Sequence, residues 1–477
     1  MSLHFPAEDA PAHLYWTSVY RDLGHAGNPW SGQYQRNARW NAPNLAYFAV
    51  QYGLSGWLEP HLAQRVFLLL LVLAWVGSIH HLSIATHGRL TLGSFASLLL
   101  FHNWALYTGF FSFLFGIPAF VSGVATLVTL RARPGAGPDK HGRYLLLGVL
   151  GIIAYFAHLT TGVLLIGAVL MTAALEWRRS RTSALRLLAT TAIPVILGIS
   201  YVLTSPFGEG GPSWAFGSTV KRFFGFAFWR GFASPTPAFW LTLLVFAATC
   251  AALCVGGFRT WRRGELTPGA RFIMVLAACL IAAYFIAPVR VGQGGFLNDR
   301  IHLALWAILL PALGTGLGRR TGRSIAALIA LLLAWQIVTY SLRSRRFGEQ
   351  YAALVQEATA LPPGSVIRYV QPYEASHFEG SFVAPFMDGG EFAYHCRCFL
   401  LEDSWDGAPF YWVTFKRAAL RPADYNVWIF VRPPSASSGA DRQRSPAVAR
   451  LSLGFTPASQ YRAPDEPNAP ELMQRTE

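Results

Sequence analysis

The sequence predicts an all-α polytopic membrane protein of about ten transmembrane helices, closed by a small C-terminal α/β domain outside the cytoplasm. Three observations carry this prediction. The 477 residues are 53% hydrophobic and only 13% charged, with a mean hydropathy of +0.34, where an ordinary soluble domain carries roughly 25% charge. Apolar runs of spanning length recur between arginine-rich connections. Beyond Tyr340 the pattern changes to short apolar, β-branched and aromatic runs. The formal charge of +15 would suit a nucleic-acid binder, but only Lys140, Lys221 and Lys416 among the 39 basic residues are lysines, and many of the arginines flank apolar runs. That distribution belongs to membrane topology and excludes nucleic acid as the partner.

A crossing needs roughly 20 apolar residues. Val66–Thr86, Leu90–Leu106, Gly109–Leu130, Leu187–Thr204, Ala238–Gly257, Phe272–Pro288, Ile301–Gly318 and Ser324–Tyr340 approach that length. Between Arg143 and Glu176 a longer run reads as a helical pair, Tyr144–Ala157 and Leu159–Leu175, broken around His158. Four connections are basic, around Arg131–Arg143, Arg178–Arg186, Arg259–Arg271 and Arg319–Arg323. The positive-inside rule places them in the cytoplasm. The segments around His102, His158, 206–237 and 289–300, with residues 1–65 and everything after Tyr340, then face outward.

Residues 1–65 read as an outer first loop, with Trp16, Trp30, Trp40 and Trp57 suited to a membrane surface. Residues 66–341 form the helical bundle and 342–462 the small outer domain, entered by an amphipathic helix near Gly348–Ala360. It continues with strands at Ser365–Val370, Phe410–Phe415 and Tyr425–Val431. Pro433–Pro446 reads as a loop and the 463–477 tail as disordered. The five cysteines show no metal spacing, so neither a zinc site nor a disulfide framework is expected. No signal peptide is visible at Met1–Pro6.

Ionisable groups at the edge of an apolar bundle are costly and point to function. Here they gather at one face. Glu8, Asp9 and His13 lie in the first loop, and on a helix Asp9 and His13 share a side. This reads either as an acidic helix start or as a proton acceptor with a histidine that orients it or binds phosphate. His102-Asn103 opens a Gly- and Phe-rich segment, in which Gly109 and Gly116 suit close helix packing. Asn298, Asp299, Arg300 and His302 follow the glycine-bearing Val289–Phe296 stretch. Arginine suits phosphate because its planar fork stays charged and donates in parallel, so Arg290, Arg300 and His302, with Lys221 and Arg222, are phosphate candidates. An Asp299–Arg300 pairing and interfacial anchoring are the structural alternatives. In the outer domain His377, Asp388, Glu391 and His395 read as solvated surface rather than a metal site.

Taken together, the acidic Glu8-Asp9 motif with His13, the Asn103-Trp-Ala-Leu-Tyr-Thr-Gly-Phe110 segment, His158 in a later helical pair and the closing outer domain resemble the GT-C superfamily. These are membrane glycosyltransferases that use polyprenyl-phosphate-linked sugars. The resemblance implies a bacterial cytoplasmic-membrane enzyme that moves a sugar from such a donor to an acceptor at the outer face. Asp9 would be the general base, and Arg300, Arg290 and His302 would steady the departing phosphate. His102, Asn103, His158 and Asp299 would line the pocket. Some relatives use a divalent ion such as Mg or Mn at the acidic motif and others use none. The family also places a membrane helix just ahead of this motif, which leads to the expectation that a first helix is missing upstream of Met1. The competing readings are a transporter or flippase of lipid-linked sugars, and a ligase or polymerase of lipid-linked polysaccharide that works without an acidic base.

Overall fold

In the computed structural model of the chain, the residues described are 7–204 with breaks at 8, 24, 26, 33, 37–39 and 133–138, then 214–223 except 221, and 237–359 except 292–294 and 314–315. Five C-terminal stretches complete them, at 366–370, 395–400, 413–415, 427–432 and 450–454. Glu8, Lys221, His377, Asp388, Glu391, the 433–446 stretch and the 463–477 tail lie outside the described residues.

The N-terminal part folds as α1 (Ala10–Asp22) and α2 (Leu45–Ser55), with the short strand β1 (Tyr34–Arg36) between them. The bundle follows, beginning with α3 (Pro60–His87), the short turns α4 (Leu92–Ala96) and α5 (Trp104–Tyr107), and α6 (Phe111–Ala132). After these come α7 (Asp139–Ala157), α8 (Leu159–Trp177), α9 (Arg181–Thr190) and α10 (Ala192–Thr204). Beyond β2 (Trp214–Ala215) lie α11 (Pro237–Arg262) and α12 (Pro268–Ile286), and beyond β3 (Arg290–Val291) lie α13 (Leu297–Ala312) and α14 (Arg319–Ala358). Among the described residues six helices are long and apolar enough to cross a membrane, or up to seven if the bent α9–α10 pair is one span. The chain is a multi-pass membrane protein. Leu331, Trp335, Ile337 and Val338 of α14 remain exposed, as lipid-facing side chains do.

The expected count of ten is reduced in three places. Leu90–Leu106 is not one helix: a capping box at Thr91 starts α4, a 3-10 turn follows at Ser97–Phe101, and Asn103 caps α5 by accepting from Leu106 N–H. The apolar part of α7 is the shorter His141–Ala157, and α13 has only 16 residues. The break at His158 occurs where the sequence places it, with the imidazole Nδ1 accepting from Thr160 N–H at the start of α8 (3.1 Å).

One end of the bundle collects the arginine-rich connections. Arg131 lies 3.4 Å from Glu176 and its guanidinium sits over the Phe272 ring. Thr267 Oγ1 donates to the Thr86 carbonyl (2.8 Å) and His87 Nε2 to that of Ala312 (3.1 Å). Glycines bring helices together elsewhere: a Cβ on Gly116 would meet the Thr161 side chain, and one on Gly123 the Leu165 methyls at 2.6 Å. Gly116 and Gly123, one heptad apart, therefore seat α6 on α8.

The strands β4 (Val366–Val370), β5 (Phe399–Leu400), β7 (Val427–Arg432) and β8 (Arg450–Gly454) form a sheet in the order β5-β4-β7-β8. β4 is parallel to both β5 and β7, and β8 runs antiparallel to β7. No break separates the last span from the expected amphipathic helix, because α14 runs unbroken through 40 residues. A second departure concerns cysteine: Cys396 and Cys398 are disulfide-bonded, a local bridge that spacing rules for frameworks do not reveal.

The N-terminal and C-terminal parts touch. β1 pairs antiparallel with β6 (Val413–Phe415). Tyr15 Oη and Trp30 Nε1 both donate to the Cys398 carbonyl, at 3.3 and 3.0 Å. His61 and His395 meet Nε2 to Nε2 at 3.3 Å. Both parts therefore lie at the same end of the bundle, which requires an even number of crossings between them.

Candidate active site

The site is built where α1 docks on the turn between α5 and α6. Gly109 has φ +83°, and a Cβ there would stand 2.8 Å from Asp9 Cβ and 2.9 Å from Asp9 N. Only glycine fits without strain at such a φ. The bare backbone lets Asp9 N–H donate to the Thr108 carbonyl (3.1 Å). Asp9 occupies the N-cap position of α1, yet its side chain makes no capping hydrogen bond. Any contribution of this carboxylate to the helix start is therefore electrostatic, through the helix dipole.

The carboxylates of Asp299, the acidic residue in the first turn of α13, and of Asp9 both lie within electrostatic reach of Arg300. The Arg300 guanidinium carbon lies 4.8 Å from the Phe110 ring centroid and 5.7 Å from that of Phe113, the geometry of a cation over aromatic faces. Arg300 Nε is buried without a hydrogen-bond partner among the described residues. His158 packs edge-on with Phe113, 5.4 Å between ring centroids, within electrostatic reach of Arg300. With Nδ1 spent on Thr160 N–H, its proton in the neutral ring is on Nε2. Asp9, His158, Asp299 and Arg300 thus converge from three separate regions of the chain.

The remaining expected site residues go elsewhere. His13 is boxed by Tyr47, Phe48 and Phe111, with ring centroids 5.0 to 5.9 Å away. Its Nε2 donates to the Gly109 carbonyl (3.1 Å) while Nδ1 is buried without a hydrogen-bond partner among the described residues. Burial pushes its pKa down to about 4 against the pull of that carbonyl, so the ring is neutral at pH 7 and pins α1 to the turn. His102 stacks on Tyr340 of α14 at 4.4 Å and faces Tyr107 Oη. Asn103 spends its amide on the Leu100 and Phe101 carbonyls. His302 accepts from Trp306 Nε1 (2.8 Å) and packs on Tyr284, and Asn298 donates to the Tyr284 and Ala287 carbonyls. These two face α12, on the opposite side of α13 from Arg300. Arg222 donates to the Phe285 carbonyl in the last turn of α12, where a cation offsets the helix dipole. Arg290 is exposed on the two-residue ladder of β3 with β2.

An aromatic group absent from the sequence reading borders the site. Trp104, Phe110 and Phe296 lie 5.2 to 5.8 Å apart by ring centroid. Phe296, just ahead of α13, has φ +60°, a left-handed conformation that costs a bulky residue about 1–2 kcal/mol. Among the described residues, no three His, Cys, Asp or Glu side chains gather as a metal site.

No protein-family model matches the chain, and no curated protein sequence matches it. Among solved structures, the fold is similar to that of ArnT from Cupriavidus metallidurans bound to undecaprenyl phosphate. That similarity covers 90% of this chain and 89% of the other, at 13% identity and a TM-score of 0.49.

Proposed function

We propose that the chain is an integral membrane glycosyltransferase that moves a sugar from a polyprenyl-phosphate donor to an acceptor hydroxyl at the outer face of a bacterial cytoplasmic membrane. One observation supports the reading: the backbone of Asp9 is held by the Thr108–Gly109 turn, and its carboxylate lies within electrostatic reach of an aromatic-seated arginine, Arg300. Transfer from a lipid phosphate needs a base and a cation, and Asp9 and Arg300 are of the two types required. The acceptor oxygen attacks the anomeric carbon, the bond from that carbon to the phosphate oxygen breaks, and Asp9 takes the hydroxyl proton. Arg300 holds the phosphate as its charge grows. The Nε of Arg300, which has no hydrogen-bond partner among the described residues, is a donor suited to that role.

The test is a pair of variants in membranes supplied with labelled polyprenyl-phosphate sugars. Both Asp9→Asn and Arg300→Ala are expected to lose transfer while remaining inserted and folded. Full activity in Asp9→Asn with loss in Arg300→Ala would replace this reading with the ligase or polymerase one. Transport of intact lipid-linked sugar without transfer would replace it with the flippase.

A further inference from the structure

We propose that Phe296, backed by Trp104 and Phe110, is the platform on which the ring of the transferred sugar stacks, an inference that rests on the glycosyltransferase reading above. Phe296 lies one helical turn ahead of Arg300, whose N–H donates to the Phe296 carbonyl (3.1 Å). On the outward-facing assignment of the 289–300 segment, that turn puts the backbone of Phe296 one helical turn farther from the membrane centre than that of Arg300. A lipid phosphate held at Arg300 has its isoprenoid chain running inward, so the group that reaches Phe296 is the one on the other side of the phosphate. That group is the sugar.

The chemistry of the platform fits a pyranose or furanose ring. Phe110 already carries Arg300 on its face at 4.8 Å, and Trp104 meets Phe110 edge-on at 85°. Phe296 is the ring left open, 44% exposed, and one apolar face of a sugar presents C–H groups to such a surface while its hydroxyls stay wet. The backbone points the same way. A left-handed phenylalanine is a poor choice for folding alone, since glycine or asparagine adopts that conformation at lower cost. Strain of this kind persists where a side chain is needed in place.

The experiment measures binding of undecaprenyl phosphate alone and of undecaprenyl phosphate carrying glucose, arabinose or other single sugars, to the purified full-length protein in lipid nanodiscs. Phe296→Asn keeps the left-handed backbone and removes the ring, so its thermal midpoint is expected to equal or exceed that of the unsubstituted protein. Its affinity for the preferred sugar-bearing lipid is expected to fall by about tenfold, near the upper end for one aromatic contact, with affinity for the bare lipid phosphate unchanged and Phe296→Tyr restoring sugar binding. An equal fall for both lipids would mean that the ring contacts the phosphate or the chain and would overturn the inference, as would no change for either. If the unsubstituted protein binds neither lipid, the glycosyltransferase reading fails as well. Loss confined to Phe296→Asn with the bare lipid still bound leaves that reading intact.

Discussion

Replacing Gly109 by alanine tests whether the turn beneath Asp9 sets its position. A non-glycine residue at φ +83° incurs about 1–2 kcal/mol of backbone strain. The new methyl would also stand 2.8 Å from Asp9 Cβ and 2.9 Å from its nitrogen, so α1 must retreat. The Asp9 N–H bond to Thr108, 3.1 Å in the native turn, then stretches, for a further loss of about 1 kcal/mol. The sum, about 2–3 kcal/mol, is enough to displace the end of α1 but not to unfold a bundle whose core lies in the spans. A displacement near 1 Å at a reacting group costs on the order of 100-fold in rate. Transfer by Gly109→Ala is therefore expected to drop about 100-fold in a single-turnover assay, with a modest fall in the thermal midpoint. Gly109→Asn separates the two causes, because asparagine tolerates the left-handed backbone but keeps the Cβ. It should be as inactive as alanine and more stable. Native rates in both variants would refute the claim that this turn positions the base.

Three further outcomes follow from the same geometry. His13 has a folded pKa of about 4 against an ordinary 6.5, so the unfolded chain binds the proton more readily. Stability should be fully present above about pH 6.5 and fall by about 3 kcal/mol as the pH drops from there towards 4. Thermal unfolding of His13→Gln in detergent should lose most of that slope, and an unchanged slope would remove His13 as its source. Arg300→Lys keeps the charge but not the fork, and is expected to cost at least about tenfold in donor affinity, read as a rise in KM. His302→Gln lies on the α12 side of α13, so it should leave transfer intact and lower the thermal midpoint by the loss of one buried hydrogen bond, about 1 kcal/mol.

Much of the fold is legible in the sequence because hydropathy and arginine placement report directly on a bilayer. The break at His158, the strands near 366, 413 and 427, and the basic ends of α6, α8, α11 and α14 stand where pattern puts them. The site is legible only in part. Residue types at the outer ends can be collected by topology, which is how Asp9, His158, Asp299 and Arg300 come to one short roster. Which of them meet depends on helix phase and on turns. Phase could have separated His302 from Arg300, since two residues apart on a helix means nearly opposite faces. The left-handed Phe296 and the aromatic box around His13 leave no such signal, because both come from packing between segments distant in the chain.

The stretch from Leu90 to Thr108 shows how a crossing can hide from a search for helices. Its first residues sit at the end of α13 that carries the Ala312 and Pro311 carbonyls, bonded by His87 Nε2 and Thr91 Oγ1 at 3.1 and 3.0 Å. Near its far end Trp104 packs on Phe296, and Phe110, two residues beyond Thr108, carries Arg300 at the other end of α13. It therefore travels the length of α13 in short turns. Irregular backbone at membrane depth is tolerated when protein rather than lipid surrounds it, and the packing provides this: a Cβ on Gly93 would run into the Leu310 carbonyl, and Ser97, Leu99 and Leu100 are buried. Single cysteines at Trp57, Leu90 and Ala132, in a background without Cys250, Cys254 and Cys279, test the path with a membrane-impermeant thiol reagent. If the stretch crosses, Leu90→Cys and Ala132→Cys label from one side and Trp57→Cys from the other. Labelling of Ala132→Cys from the side of Trp57 would mean that the chain turns back after Leu90, which would reverse every later loop and move the Asp9–Arg300 site away from the end assigned to it.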